Sequence, residues 1–200
     1  MKIIMNMIMR KKGMNIMINS LYDKFKSWSS TGSIWIISDT HFEDPDCKLM
    51  DKNWISPQEH INIIKNKCHK TDTLIHLGDV GNPEWLNQIK SYKVLIMGNH
   101  DESASRFKDY FDEIYKGPLF ISEKILLSHE PIIEPRLWLN IHGHNHSGYM
   151  LKTGELNLAS NVANYEPLNL KKIIELGILK QIDGVHRATI DDASKRKKEK

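Results

Sequence analysis

The chain has 200 residues, of which 40% are hydrophobic and 26% charged, so we expect one folded domain with a substantial core and exclude a wholly disordered or fibrous protein. The net charge of +3 would suggest a nucleic-acid partner, but the positive charge lies at the two ends. Residues 1–33 hold six Lys/Arg and one acidic residue, residues 194–200 hold five and one, and residues 34–193 hold 17 basic and 23 acidic residues. The body of the chain is therefore acidic.

The N-terminal extension, residues 1–33, is basic and rich in methionine. Its first apolar run ends at Arg10 and is interrupted by Asn6, so it is too short and too polar for a signal peptide or a transmembrane segment. We predict a loosely ordered extension, with a basic amphipathic helix that contacts a membrane or a partner as the alternative.

Five short apolar runs, each bounded by turn residues, are typical of strands buried on both faces. They lie at residues 34–37, 73–77, 93–97, 124–127 and 139–141. Segments with helical signals separate the first three runs and follow the third, and this alternation predicts an α/β layered architecture.

The first of these helices has the clearest start signals. Ser56 can cap it, Pro57 suits its first turn and Glu59 completes a capping box. Ile61, Ile64 and Cys68 then recur on one face, so we predict an amphipathic helix. Two more helices are predicted at residues 83–90 and 103–111.

Shorter elements follow the last apolar run. We predict a hairpin around residues 152–154 and a final helix that Asn169 caps and Gly177 closes. The apolar runs and the predicted helices fall inside residues 34–186, which we take as the folded domain. The tail, residues 187–200, is basic and predicted to be disordered, with nucleic-acid contact as the minor alternative.

Each apolar run leads directly into carboxylate, amide or imidazole side chains. These candidates are Asp39, His41, Asp79, Asn99, His100, Asp101, His129, His144 and His146. Because the carboxyl ends of strands in an open α/β sheet converge on one crevice, we expect these side chains to lie close together.

The residue types point to metal chemistry. Asp, His and Asn without thiolates suit borderline-hard divalent ions such as Mn, Fe, Zn or Ni. Seven of these side chains, those other than His100 and Asp101, are candidate ligands; they exceed the needs of one four-coordinate ion, whereas two ions that share a carboxylate would use them all. Paired ions ~3.5–4 Å apart are the usual arrangement for in-line displacement at phosphorus.

The order and spacing of these motifs resemble the calcineurin-like metallophosphoesterase superfamily over residues 34–176. The motifs are Asp39-x-His41, Gly78-Asp79, Gly98-Asn99-His100-Asp101, His129 and Gly143-His144-x-His146. The resemblance implies a four-layer α/β sandwich of two mixed β-sheets flanked by helices.

The resemblance also implies a role for each residue. Asp39, His41 and His146 would hold one divalent ion, Asn99, His129 and His144 the second, and Asp79 would bridge them. His100 would assist the leaving group, with Asp101 as its orienting partner. Manganese is the expected metal, with Fe, Zn or Ni as alternatives.

The function expected on this basis is hydrolysis of phosphomonoesters or phosphodiesters by attack of metal-bound hydroxide. A nuclease or cyclic-nucleotide phosphodiesterase is the alternative within enzymes, so a nucleic acid or nucleotide is an open partner. A non-catalytic scaffold of the same fold is the alternative from another class. The sequence does not determine the oligomeric state.

Several other residues receive structural interpretations. Cys47 and Cys68 are expected to be free thiols, which with no signal or transmembrane segment predicts a reducing, cytoplasmic location. His76 and His142 are expected to pack in the interior. We expect His60, His69 and His186 at the surface and Trp35, Trp54, Trp85 and Trp138 in core or rim packing, with Trp138 and Arg136 at the substrate groove as the alternative. Glu43, Asp44 and Asp46 would repel polyanions or cap a surface turn.

Overall fold

The computed structural model describes residue 25 and residues 27–185; the basic tail, His186 and most of the N-terminal extension lie outside them. The strands are β1 (Ile34–Ile37), β2 (Thr73–His76), β3 (Tyr92–Ile96), β4 (Glu113–Tyr115), β5 (Leu119–Ser122), β6 (Ile125–Leu127), β7 (Leu139–His142), β8 (Leu151–Lys152), β9 (Glu155–Asn157) and β10 (Leu168–Asn169). The α-helices are α1 (Cys47–Met50), α2 (Pro57–Lys67), α3 (Ala104–Phe107) and α4 (Leu170–Glu175), and 3₁₀ helices span Pro83–Gln88 and Ile178–Gln181.

The strands form two mixed five-stranded sheets, which confirms the expected sandwich of sheets with flanking helices. The first sheet has the order β10-β1-β2-β3-β4, with β1 to β4 parallel and β10 antiparallel. The second has the order β5-β6-β7-β9-β8, with a parallel centre and antiparallel edges. The five predicted strands therefore divide between two sheets rather than forming one open sheet.

Two cores explain why the parallel strands are apolar on both faces. Alternate residues of β1 to β3, such as Ile36 and Ile75, pack against the second sheet in one core. Their neighbours, such as Ile37 and Leu74, pack against α2, α3 and the first 3₁₀ helix in the other. Trp28, which precedes β1, is buried in the core between the sheets and donates from Nε1 to Glu113.

The local signals for helices hold to different extents. Ser56 caps α2 by accepting the Glu59 N–H, and Asn169 caps α4 in the same way. Gly177, at φ +74°, lies beyond the end of α4 in the left-handed region, which a glycine adopts without strain. The helix predicted at 83–90 is a 3₁₀ helix, and the one predicted at 103–111 ends at Phe107, where a turn buries both Phe107 and Phe111.

Cys47 and Cys68 are buried free thiols, as expected. Burial raises the pKa of Cys47 to about 12, and its Sγ donates to the His41 carbonyl. Within residue 25 and residues 27–185, no helix has the length and apolar character needed to cross a bilayer.

Candidate metal centre

The candidate residues follow strands of both sheets. Asp39 and His41 follow β1, Asp79 follows β2, and His129 and His144 follow β6 and β7 of the second sheet. Four of these five have a positive φ, between 41° and 67°, a backbone conformation that costs a non-glycine residue energy and that clusters at functional sites. The exception is His129.

The first cluster contains Asp39, His41 and His146. The Nε2 atoms of His41 and His146 lie 4.0 and 3.7 Å from Asp39 Oδ1. These atoms lie within 4.8 Å of one another, so the three side chains could hold one metal ion.

The second cluster contains Asp79, His129 and His144, with Asn99 beside them. Asn99 Oδ1 lies 2.8 Å from His129 Nε2 and 3.0 Å from His144 Nδ1. Asp79 Oδ2 lies 3.3 Å from His129 Nε2, so the Asp79 carboxylate and the Asn99 amide oxygen face the same imidazole nitrogen.

The Asp79 carboxylate lies between the two clusters. Its Oδ2 is 3.3 Å from His129 Nε2 on one side and 3.8 Å from His41 Nε2 on the other. Its Oδ1 accepts the backbone N–H of His100. One oxygen of Asp79 is thus within reach of both groups of ligands.

The outer ring nitrogens have partners that orient the imidazoles. His129 Nδ1 donates to the Leu77 carbonyl, His41 Nδ1 to Asp44 Oδ2 and His146 Nδ1 to Asn161 Oδ1, at 2.9 to 3.0 Å. A proton on Nδ1 leaves the Nε2 lone pair free to face the centre, which is how metal-ligating histidines are usually held.

Burial supports a cation at this position. Asp39 and Asp79 are 0% and 2% exposed, and buried carboxylates need a paired cation or a metal. His41 Nε2 is buried with no hydrogen-bond partner among the described residues. The donor set of carboxylate, imidazole and amide therefore fits divalent ions of the kind expected from the sequence.

The electrostatics of the two carboxyls differ. Burial raises the pKa of Asp39, although the His144 N–H donates to both of its oxygens. Burial would also raise the pKa of Asp79, but in the metal-free protein the hydrogen bond and charge of His129, with the His100 N–H and the charge of His41, outweigh it and hold that pKa at about 2. Asp79 is therefore an anion throughout the neutral range.

Two glycines allow the loops to approach the carboxylates. A Cβ at Gly143 would lie 2.0 Å from Asp39 Oδ2, and a Cβ at Gly98 would lie 2.2 Å from Asp79 Oδ1. These distances are far below van der Waals contact, so both positions require glycine.

Asp101 supports the backbone of this centre. Its carboxylate accepts the N–H groups of Asp79, Val80 and Gly98 at 2.8 to 3.1 Å, and the residue is buried. His100 is exposed, and its ring centroid lies 5.7 Å from that of His41. The described contacts of Asp101 are with backbone amides and not with the His100 ring.

The comparisons with known proteins agree with this geometry. The family model described as calcineurin-like phosphoesterase matches residues 32–185. The chain belongs to this family. The chain is similar to a protein of unknown function, AQ665 from Aquifex aeolicus, whose crystal structure matches it with a TM-score of 0.62. The two sequences are 27% identical, and the match covers 72% of this chain and 98% of the other. No curated protein matches the chain.

The histidines outside the two ligand clusters are partly as expected. His76 and His142 are buried and hydrogen-bonded, His76 to Thr40 and His142 to the Gly143 carbonyl, which confirms their packing role. His69 is exposed, as predicted. The prediction that His60 is a surface residue is wrong: it is 1% exposed, because its face of α2 packs against Phe42 and Tyr165.

Replacing His60 with phenylalanine should make the protein more resistant to acid. Burial lowers the pKa of His60 from 6.5 to about 4, so between those values the unfolded chain binds more protons than the folded one. The contribution of the neutral His60 imidazole to the free energy of unfolding is fully present above about pH 6.5. It is lost as the pH drops towards 4, by up to about 3 kcal/mol. Urea unfolding of metal-free protein at pH 7.5 and 4.5 measures this loss in the unaltered protein and in His60→Phe.

The comparison that isolates His60 is with His69→Gln, which replaces an exposed histidine just beyond the end of α2. The control should lose as much stability between the two pH values as the unaltered protein. If His60→Phe also loses that amount, burial of a neutral imidazole does not explain the acid sensitivity.

Sequence reasoning missed Asp44, Asn161 and Trp54. Asp44 was expected only to repel polyanions or cap a turn; its Oδ1 does cap, by accepting the Asp46 N–H, while Oδ2 accepts from His41. Trp54 packs edge-on against His41 and tilted against His146, with centroids 6.0 and 5.7 Å away. The three-residue separation of Asp44 from His41 is the one local signal that could have indicated such a pair.

Trp138 and Arg136 are engaged elsewhere. Trp138 is buried against Phe120 and donates from Nε1 to the Ile132 carbonyl. Arg136 is exposed and pairs with Asp183 at 3.2 Å. These contacts assign Trp138 to packing, and the tryptophan at the centre is Trp54.

Replacing Asp44 with asparagine should weaken metal binding without unfolding the protein. The carboxylate holds His41 Nδ1–H at 3.0 Å, and loss of such an outer partner usually costs ~10–100-fold in metal affinity. Manganese titration by calorimetry measures the change. The control is Asp46→Asn, which removes one carboxylate charge at an exposed position two residues from Asp44. Equal losses in both variants would assign the effect to net charge and contradict a specific role for Asp44.

Proposed function

We propose that this chain is a dimetal phosphoesterase that hydrolyses phosphomonoesters or phosphodiesters. The observation that carries the proposal is the position of Asp79 Oδ2, within 3.8 Å of imidazole nitrogens from both clusters. Asp39, His41 and His146 would hold the first ion, Asn99, His129 and His144 the second, and Asp79 would bridge. Two bound divalent ions supply an activated water and neutralise charge on the phosphate oxygens.

The remaining chemistry falls to residues of the chain. Asp79 Oδ1 accepts the His100 N–H and so places the His100 side chain beside the first cluster, exposed to an incoming ester. There His100 would donate a proton to the leaving oxygen as the bond to phosphorus breaks. Asp101 would act through the loop backbone that it binds, as a positioning residue.

Manganese is the proposed ion, because the oxygen and nitrogen donors suit it; reconstitution with Mn, Fe, Zn and Ni separates the alternatives. We propose a reducing, cytoplasmic location on the basis of the two free thiols. The exposed Glu43 and Asp46 lie in the loop after His41, which favours small phosphate esters over nucleic acid as substrates. Manganese-stimulated release of nitrophenol from 4-nitrophenyl phosphate or its bis ester tests the proposal, and no metal and no release would refute it.

Replacing His100 with asparagine should slow turnover while both ions stay bound. Loss of a general acid costs ~10²–10⁴-fold, and the loss should be larger for phenyl phosphate than for 4-nitrophenyl phosphate, whose leaving group needs no proton. Turnover of the two esters, with metal content by mass spectrometry, measures both effects. Equal losses for the two esters would remove the proton-donor role, and near-normal rates would remove any catalytic role.

A further inference from the structure

A cavity of about 290 Å³ lies beside the first ligand cluster. Residues 40–48 and 54–60 supply its lining. His41 connects the cavity to the metal centre, because the residue lines the cavity and its Nε2 lies 3.8 Å from Asp79 Oδ2. A molecule whose phosphate lay at the metal centre could therefore extend into this cavity.

The lining suits a flat apolar group. Trp54 forms one wall and already makes ring contacts with His41 and His146, and Phe42, Pro45, Ile55 and Pro57 add apolar surface. Aromatic rings pack favourably edge-to-face or offset against such a wall. Small-molecule sites span ~300–1,000 Å³, so this cavity has room for one small ring system and not for a polymer.

The charges of the lining disfavour a second anionic group. Glu43 and Asp44 contribute carboxylates, and Lys48 at the exposed edge is the one lysine or arginine in the lining. His60, at the buried end, is held neutral at pH 7 because burial lowers its pKa to about 4. The Tyr165 backbone lies near the His60 ring, but neither nitrogen of that ring has a partner at hydrogen-bonding geometry among the described residues.

We propose that this cavity is a subsite for an uncharged aromatic ring carried by the phosphate ester, with Trp54 as the specificity-determining residue. The inference rests on the proposed phosphoesterase function and narrows its substrates to esters of an aryl group or a nucleobase. Both sources share one chemistry, a flat neutral ring a short distance from phosphorus.

Inhibition of 4-nitrophenyl phosphate hydrolysis by non-hydrolysable phosphonates tests the subsite on the manganese-loaded full chain. Methylphosphonate provides the head group alone, benzylphosphonate adds an aryl ring and a uridine 5′-phosphonate adds a base. We expect at least one ring to lower the inhibition constant about tenfold or more relative to methylphosphonate. Gain with benzyl indicates an aryl substrate, gain with uridine alone indicates a nucleotide, and no gain with either overturns the proposal.

Variants test whether the tighter inhibition by ring-bearing phosphonates arises in this cavity. Trp54→Leu should abolish the advantage of the ring, measured within the variant as the ratio of the inhibition constants of methylphosphonate and the ring phosphonate, and Ile55→Trp, which fills the cavity, should do the same. Leu49→Trp is the control, since Leu49 is 84% exposed and does not line the cavity. A ring advantage that persists in both cavity variants, with normal thermal unfolding, overturns the assignment. If the unaltered protein hydrolyses the ester but shows no ring advantage, the subsite fails and the proposed function stands; if it hydrolyses nothing, the proposed function fails.

Discussion

Replacement of Asp79 by asparagine is expected to abolish nearly all hydrolysis and to remove both ions. The amide can still accept the His100 N–H, but it carries no charge between the His41 and His129 nitrogens. Because a pKa of about 2 keeps Asp79 anionic at neutral pH, the substitution removes one full negative charge from the centre. Under the proposed function, in which water activation and charge neutralisation both depend on two ions, we expect kcat/KM to fall by on the order of 10³-fold or more.

The measurements for Asp79→Asn are metal stoichiometry by mass spectrometry and the rate with 4-nitrophenyl phosphate across a manganese titration. Asp109→Asn, at an exposed position, controls for the loss of one carboxylate. Two ions retained at normal affinity in Asp79→Asn would show that the carboxylate does not bridge them.

Replacement of Asp101 by asparagine is expected to lower stability and metal affinity together. The Asp101 carboxylate accepts three backbone N–H groups, and an amide at this position presents a donor where at least one of them needs an acceptor. Leaving a buried donor without a partner costs ~1–3 kcal/mol, so we expect a loss of about 1–3 kcal/mol in the free energy of unfolding. Urea unfolding of the metal-free protein measures this loss without any contribution from bound ions.

A double-mutant cycle with His100→Asn separates positioning of the backbone from orientation of the His100 ring. If Asp101 acted on turnover through His100, its replacement would have little further effect on kcat in the His100→Asn background. Support of the loop backbone predicts instead that the stability loss of Asp101→Asn is the same in both backgrounds. If Asp101→Asn has normal stability and its kcat defect disappears in the His100→Asn background, the proposed support of the loop backbone by Asp101 is contradicted.

Local sequence patterns were enough to predict most of the elements that carry the centre. The apolar runs that became β1, β2, β3, β6 and β7 were identified because burial on both faces requires unbroken apolar residues. Capping by Ser56 and Asn169 was also predictable, since a cap is a contact within three residues. The helix predicted at 103–111 was too long, because burial of Phe111 through a turn is a tertiary preference.

The partners of the candidate ligands were harder to predict. Asn161 is 15 residues from His146, and Asp101 is 22 residues from Asp79, whose backbone N–H donates a hydrogen bond to the Asp101 carboxylate. Trp54 reaches the centre from the segment before α2, and His60 is buried by Tyr165 from a distant loop. Such contacts depend on how loops from different strands meet, which no periodicity or spacing in the chain records.

The sequence by itself determined the family of this protein, its candidate ligands and the alternation of strands and helices, because each rests on residue type and short-range order. The tertiary structure alone decided that the ligand-bearing strands divide between two sheets, that one Asp79 oxygen faces both clusters and that Asp44 and Asn161 orient their imidazoles. The physical reason is distance along the chain: apolar patterns reveal which faces are buried, whereas the packing of two sheets sets which loops meet at their common end.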